Sequence, residues 1–540
     1  MTRRFEIGPA APLIGFVLLF AVVPAALLFA SSLGSAGGWA GFERVVSDPL
    51  NERAMENSLE QGGLSALAAV AAGYPVGVLI GRFDWPGRSA VRSLLLVPFL
   101  LPSIVIALGI EGLFGPGGSV SAWLPGASVF GGGIGAIVAA NVYFNAPLVA
   151  LLTAIGVESA SPELEEAVAT LGGGGAVAYR TVWGPPSWRG ALAGGLLTFL
   201  FSALAFAAPL ILCGPRCYTL EARVWTLDQQ LIDPVSAGVL ALSMVVVLAL
   251  PTAAYLYLVA YRRASGDVRS ARRRPHRLRG WAGWSVAVVA AAILALIAGL
   301  LGSILWEAVR AASPGHPAGS GFATLFGPSV GAALGISTSG ALVNTLLFAL
   351  GASVIALLLA LPAGHVLRRS TVGAQGLGGL VFLPLLVSPI VLSFSLATFY
   401  RPLLGGESTV WLLIILSQAT IALPLALQSL SVGLRRVPVA HSEAAQTLGS
   451  GPFAAYLDVE LPQVRSSIVA ASLLAFAIGL GEFTATYFLA TPRFTTLTVE
   501  LYRLETIRAV AAASALAGLL VVVSAAAFIG VGLAGEHVEL

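Results

Sequence analysis

Lysine is missing from all 540 residues, so the 29 basic side chains are arginine. That absence excludes a Walker-type phosphate loop, Gly-x-x-x-x-Gly-Lys-Ser/Thr, and with it ATP hydrolysis by this chain. Charge is scarce as well. Asp, Glu, Lys and Arg make up 10% of the chain and hydrophobic residues 57%, where a soluble globular domain carries about 25% charge. So few charges cannot cover a water-facing surface, and lipid must replace water over much of the exterior. The net charge of +3 is too small to mark a nucleic-acid binder; basic residues in such a chain report membrane orientation instead. Only two cysteines occur, Cys213 and Cys217, which excludes a disulfide framework and a metal cluster. They read as incidental small residues at a helix end, the alternative being a redox or metal role. The histidines, His276, His316, His365, His441 and His537, are dispersed without metal-ligand spacing, which argues against a membrane metalloenzyme.

What is abundant is long apolar runs. A spanning helix needs about 20 mostly apolar residues, and stretches near 12–33, 58–81, 92–113, 132–156, 190–213, 235–260, 281–305, 340–367, 374–399, 408–433, 466–490 and 509–534 qualify. The first is too long for a signal-peptide core of about 7–15 residues, and is expected to stay as an uncleaved helix. Pro98, Pro102, Pro384 and Pro389 interrupt two of the runs, which are expected to be broken. With both termini inside, the inner loops collect 20 of the 29 arginines: Arg3 and Arg4, Arg82, Arg88 and Arg92, Arg180 and Arg189, eight between Arg262 and Arg279, Arg368 and Arg369, Arg435 and Arg436, and Arg465. This is the positive-inside distribution. The dense segment around Arg272-Arg273-Arg274 reads as an inner linker that sits well on anionic lipid.

The chain repeats itself. Asn57-Ser58-Leu59 recurs as Asn344-Thr345-Leu346, and Pro102 as Pro389, each 287 residues on. Farther along the offset is 277, carrying Pro147 to Pro424, Pro215-Arg216 to Pro492-Arg493, and Thr219-Leu220 to Thr496-Leu497. The fold class is therefore an all-α membrane protein of about 12 transmembrane helices in two six-helix repeats. An even number of spans per half makes the repeats parallel, with a route between them. The halves are 1–262 and 281–540, joined by an arginine-rich linker at 263–280.

Each half carries the same pattern between its fourth and fifth spans. The second copy, within 441–462, reads Glu443-Ala444-Ala445, three residues, Gly449, nine residues, then Val459-Glu460-Leu461-Pro462. The first, within 163–185, reads Glu166-Ala167-Val168, three residues, Gly172, nine residues, then Val182-Trp183-Gly184-Pro185. The pattern predicts a short helix, a break and a second helical piece. Ser161 and Ser442 suit N-caps, Pro162 a first turn, and the carboxylates Glu163, Glu165, Glu166 and Glu443 a helix N-terminus. Gly172 and Gly449 permit the left-handed residue that ends a helix, and Ala leaves a slim rod on which a partner can close.

This arrangement resembles the EAA loop of ABC importer permeases, and the whole chain resembles the fused two-half permeases of the thiamine and ferric-iron group, with the type I importer fold. The resemblance extends to Ala140-Asn141-Val142-Tyr143-Phe144-Asn145-Ala146-Pro147 and to Cys213-Gly214-Pro215 through Glu221. It implies coupling residues at Glu166, Ala167, Gly172, Pro185, Glu443, Ala444, Ala445, Gly449, Leu461 and Pro462. Val168 and Gly184 depart from the pattern, so the two docking sites are not expected to be equivalent. The implied partners are two copies of a cytoplasmic ATPase subunit, which would hold the ATP and magnesium, and an extracytoplasmic substrate-binding protein. No cofactor or metal is expected in this chain and no nucleic acid as partner. The implied location is the cytoplasmic membrane of a prokaryote, multi-pass, with both termini inside. Thiamine is the favoured cargo, with ferric iron or another small solute as the alternative. Glu482 is the leading pathway candidate, since an intramembrane carboxylate suits a cation, with Asn145 and Gln418 beside it. A secondary transporter also has two six-span halves, but that class gives no reason for paired EAA loops.

Overall fold

The computed structural model describes residues 8–95, 97–116, 118–264, 276–277, 281–311, 319–368 and 387–535. Most of the linker expected at 263–280, and the first part of the span expected at 374–399 with its Pro384, lie outside the described residues.

Within those residues the chain is almost wholly helical. Extended backbone pairs once, in a two-residue parallel bridge of Phe83 with His276 and Asp84 with Arg277. Eight helices are long and apolar enough to cross a bilayer: Gly8–Ser35, Pro49–Arg82, Gly133–Glu158, Pro234–Leu258, Trp284–Arg310, Thr338–Leu367, Gly406–Ser431 and Val510–Ala527. Two bent pairs raise that to ten, Arg88–Phe99 with Ser103–Phe114 at 100° and Pro452–Gln463 with Arg465–Gly481 at 77°.

For three of the expected runs the difference from a continuous span has a local cause. Pro102 lacks an N–H and sits in extended geometry just before helix Ser103–Phe114, so the run near 92–113 turns there. The run near 190–213 is helix Gly184–Ala203, a break at Leu204–Phe206, then helix Ala207–Leu212. The run near 466–490 breaks at the equivalent place, 277 residues on. Arg465–Gly481 stops before Glu482, and Thr484–Leu489 follows Phe483.

The described residues form two compact units, and these do not follow the halves of the repeat. One unit comprises Met1–Gly38 with Glu307–Leu540, the other Trp39–Trp306. In the first, Leu13, Phe16 and Val17 of the N-terminal helix bury against the alanine stripe Ala352, Ala356 and Ala360, and the Tyr400 hydroxyl donates to the Leu19 carbonyl. In the second, Ala290 and Ile297 pack with Ile80, Ala150 and Ala154, and Tyr143 donates to the Ile297 carbonyl at 2.9 Å. The compact units thus cut across the halves expected at 1–262 and 281–540, each taking in a helix from the other's stretch of chain.

Register within each unit is set by polar ties that the repeat preserves. Asn57 Nδ2 donates to the Tyr218 carbonyl, and the Leu220 N–H donates to Ser58 Oγ. At the matching positions Asn344 Nδ2 donates to the Thr495 carbonyl, and the Leu497 N–H to Thr345 Oγ1. Where lipid offers no partner, an N–H freed near a helix break must bond within the protein; that accounts for Asn-Ser and Asn-Thr recurring in register.

Close packing in the Trp39–Trp306 unit rests on Gly73, Gly77 and Gly81, one turn apart on helix Pro49–Arg82. A β-carbon at Gly73 would lie 2.6 Å from the Ala146 carbonyl oxygen, and one at Gly81 2.8 Å from that of Ala154. Gly77 approaches the Ala150 carbonyl just as closely. Small residues let membrane helices meet backbone to backbone, where dispersion is strongest. Gly77→Leu is therefore expected to cost about 1–3 kcal/mol or more by overpacking. Thermal unfolding of the detergent-solubilised protein should show a lowered midpoint; an unchanged one would mean this contact contributes little.

Candidate functional site

The loop of the first half folds as expected. Helix Pro162–Thr170 is capped by Ser161, whose Oγ accepts from the Leu164 N–H at 3.3 Å, with Pro162 in the first turn. Ser161 Oγ also donates to Glu163, and this bond, with one from the Glu163 backbone, holds that carboxyl below the usual range. The helix ends at Gly172, with φ +76°. Its N–H bonds the Ala169 carbonyl, and that of Gly173 the Val168 carbonyl at 2.8 Å, a paired closure that satisfies the last carbonyls.

The second loop repeats the ending. Gly449 has φ +94°, its N–H bonds the Gln446 carbonyl, and that of Ser450 the Ala445 carbonyl. The start differs. Helix Val439–Thr447 begins three residues before Ser442, with Pro438 in the cap position. Ser442 is not the cap; its buried Oγ donates to Glu460 Oε1 at 2.5 Å. Past the break, both copies pass through one wide helical turn, Tyr179–Trp183 and Tyr456–Glu460, before Pro185 and Pro462.

Exposure defines what each loop offers. Glu166 and Ala167 of the first copy and Glu443 and Ala444 of the second face outward, with Ala445 half-buried. Leu171 and Leu448, 277 residues apart, are 87% and 89% exposed at the two helix tips. Phe453 is exposed as well. Sequence reasoning passed over these apolar tips, although their place just before the turn glycine in both copies marks them. Both tips thus hold a large apolar side chain out beside the left-handed glycine that ends the helix.

Beneath each helix lies a polar anchor. In the first half Arg82, at the end of the long helix, makes a two-pronged bond to Glu165, 2.5 Å at the shorter contact, and lies 4.4 Å over the Trp183 ring. Glu158 beside it accepts from both Arg88 and Arg92. In the second half the Glu460 side chain, 3% exposed, receives Ser442 on one oxygen and His365 Nδ1 on the other at 2.8 Å. A carboxylate only accepts, so His365 donates from Nδ1. The His365 ring stands edge-on to Tyr456, whose hydroxyl donates to the Leu361 carbonyl and whose ionisation burial and the nearby Glu460 push up to about 12.

The three pathway candidates fall into two settings. Glu482 sits at the helix break, and its carboxylate accepts from the Ala485 and Thr486 N–H groups and from Thr486 Oγ1. Gln418 Nε2 donates to that same Thr486 hydroxyl at 3.1 Å, so these two belong to one buried network. Asn145 lies in the other unit and donates to the Asn141 carbonyl; Asn141 in turn bonds Gln61 and Ser65. The repeat partner of Gln418 is Asn141, 277 residues earlier. Cys213 and Cys217, read from sequence as incidental, are joined as a disulfide.

Comparison with known proteins fits this geometry. The family described as binding-protein-dependent transport system inner membrane component matches twice, over residues 73–265 and 352–532. The thiamine transport system permease protein ThiP of Brucella abortus is 25% identical over 495 residues, covering 87% of this chain and 85% of that one. The molybdenum transport system permease protein ModB of Mycobacterium tuberculosis is 33% identical over 210 residues, 36% of this chain and 79% of its own. The molybdate/tungstate permease WtpB of Thermococcus kodakarensis is 28% identical over 211 residues, with 39% and 79% covered. Two family matches in tandem, paired loops of one geometry and a multi-pass helical body agree: the chain belongs to the binding-protein-dependent inner-membrane family and is a permease of an ABC importer with the two halves fused.

Proposed function

We propose that this single chain forms the whole translocation pathway of a thiamine importer and couples it to two copies of a separate ATPase through loops 163–185 and 441–462. The observation that carries the cargo is coverage. The thiamine relative is spanned by both halves, whereas the molybdenum relatives are spanned by about one half's length of this chain. The buried carboxylate of Glu482 supports a cationic cargo, which thiamine is and molybdate is not. Ferric iron suits a carboxylate too. Molybdate is the second reading, favoured by the higher identity of ModB.

In this reading ATP and magnesium bind the partner subunit. Closure of the ATPase pair moves the two tips, Leu171 and Leu448, and with them the halves, which alternate between inward and outward openings. A ligand moves such an equilibrium only by its differential affinity for the two states. Loops 163–185 and 441–462 and both termini face the cytoplasm of a prokaryotic cell. The Cys213–Cys217 disulfide supports this orientation, because an oxidising compartment belongs on the opposite face.

Two tests follow. Proteoliposomes holding the permease, its ATPase and its binding protein should accumulate thiamine only with ATP. ATP-driven uptake of molybdate or ferric iron without thiamine would reassign the cargo, and uptake without the ATPase would remove the importer reading itself. Gly449→Val should strain the left-handed turn by about 1–3 kcal/mol and misplace Leu448. ATPase stimulation should fall while insertion into the membrane persists, checked by ATPase rate beside the amount of folded permease.

A further inference from the structure

The two anchors use equivalent positions on the loop, different positions on the long helix and different chemistry. Glu165 and Ser442 are 277 residues apart, as are Trp183 and Glu460. In the first half the acid is on the coupling helix itself, the cation Arg82 is on the long helix, and Trp183 stacks on that cation. In the second half the acid has moved to the later helical piece. Ser442 on the coupling helix and His365 on helix Thr338–Arg368 both bond to it.

Each arrangement links three elements: the coupling helix, the piece that leads into the fifth span of its half, and the end of the long helix. The second does so through a single carboxylate. Glu460 has two oxygens, and each is taken by a different element. A buried carboxylate left without a donor is costly, so the cheapest geometry keeps both partners in place. The coupling helices need such a link, because little else ties them down. None of the side chains of Pro162–Thr170 is fully buried, and of Val439–Thr447 only Ser442 is.

We propose that His365 and Glu460 are positioning residues that clamp the second coupling helix to helix Thr338–Arg368. Arg82 and Glu165 clamp the first to helix Pro49–Arg82, and these clamps carry the ATPase's movement into the spans. The idea rests on the importer reading for its function, while the clamp itself is testable without any partner.

The experiment is hydrogen–deuterium exchange on the full-length permease in lipid nanodiscs, first alone and then with its ATPase and Mg-ATP as the only ligand. Glu460→Leu removes the acceptor shared by both neighbours. Amide exchange across 439–447 should rise about tenfold or more, from the loss of two hydrogen bonds to a carboxylate, with exchange in the spans unchanged. His365→Ala should loosen the same segment. His365→Arg, which keeps a hydrogen-bond donor against Glu460, should restore it; a merely space-filling role would not produce that rescue. In the first half, Arg82→Glu and Glu165→Arg should each fail singly and recover together. With the ATPase present, Mg-ATP should alter exchange along 338–368 in the wild type and not in Glu460→Leu. Wild-type exchange at 439–447 in a folded Glu460→Leu protein overturns the clamp, and if that variant does not fold, His365→Ala and Ser442→Ala, which leave the carboxylate in place, are decisive in the same way. A wild type that ignores Mg-ATP while its clamp variants still loosen 439–447 would count against the importer reading and not against the clamp.

Discussion

Helices in a bilayer gain nothing by hiding apolar surface from one another, because lipid tails are as apolar as leucine. What holds them together is backbone approach and the few hydrogen bonds that cross between them. The rest of this structure follows from that constraint. Gly73, Gly77 and Gly81 bring two spans to carbonyl contact, and the Asn57 and Asn344 ties fix where the broken helices stop sliding. The same constraint explains the breaks. A freed backbone N–H is tolerated at Glu482 because its carboxylate closes the next short helix, taking the Ala485 and Thr486 N–H groups. The first half has Ala205 at that position, without the carboxylate; its carbonyl accepts from Thr219 Oγ1, as the Glu482 carbonyl accepts from Thr498 Oγ1.

Which parts were readable in the sequence follows from the same distinction. A hydrogen-bonding side chain must be the right type at the right position, so Asn-Ser and Asn-Thr stand out across the 287-residue offset and disclose the repeat. A left-handed residue requires glycine or strain, so Gly172 and Gly449 marked the helix ends. Apolar packing carries no such address. Nothing in Leu13 or Phe16 says that they bury against Ala352 and Ala356 of the second half's stretch rather than against the first. Ser442 was misread because local pattern suggests a cap, whereas its partner lies 18 residues on. Glu460 was visible only as part of a Val-Glu-Leu-Pro pattern, since nothing local shows it buried with a histidine from another helix. The disulfide escaped for a similar reason: a spacing of four residues permits a bridge without requiring one.

The first coupling loop looks degenerate beside the second, and the structure recasts that view. Val168 stands where the other copy has Ala445, and a β-carbon on Gly173 would come 2.6 Å from the Val168 side chain. The added methyl groups are thus accommodated by a glycine in place of Ser450. Gly184 replaces Leu461, and a β-carbon there would meet the Tyr179 ring at 3.0 Å. That ring is held by Tyr74 and Trp188, whose hydroxyl and indole groups bond the Tyr179 hydroxyl. Each departure from the pattern is paired with a neighbour that fits it, which is repacking rather than decay.

Shape and anchorage are therefore separable in these loops. Shape comes from the backbone, and at the helix ends the left-handed glycine closes on the same carbonyls in both copies. Anchorage comes from side chains, and it differs in sign and in route. An ATPase subunit that recognises the tip meets equivalent surfaces at Leu171 and Leu448. Behind the tips, one helix is tied through an arginine on the long helix, the other through a histidine and a serine that share one carboxylate. Two halves of one chain, free to diverge after duplication, have kept the exposed tip and varied the ties behind it.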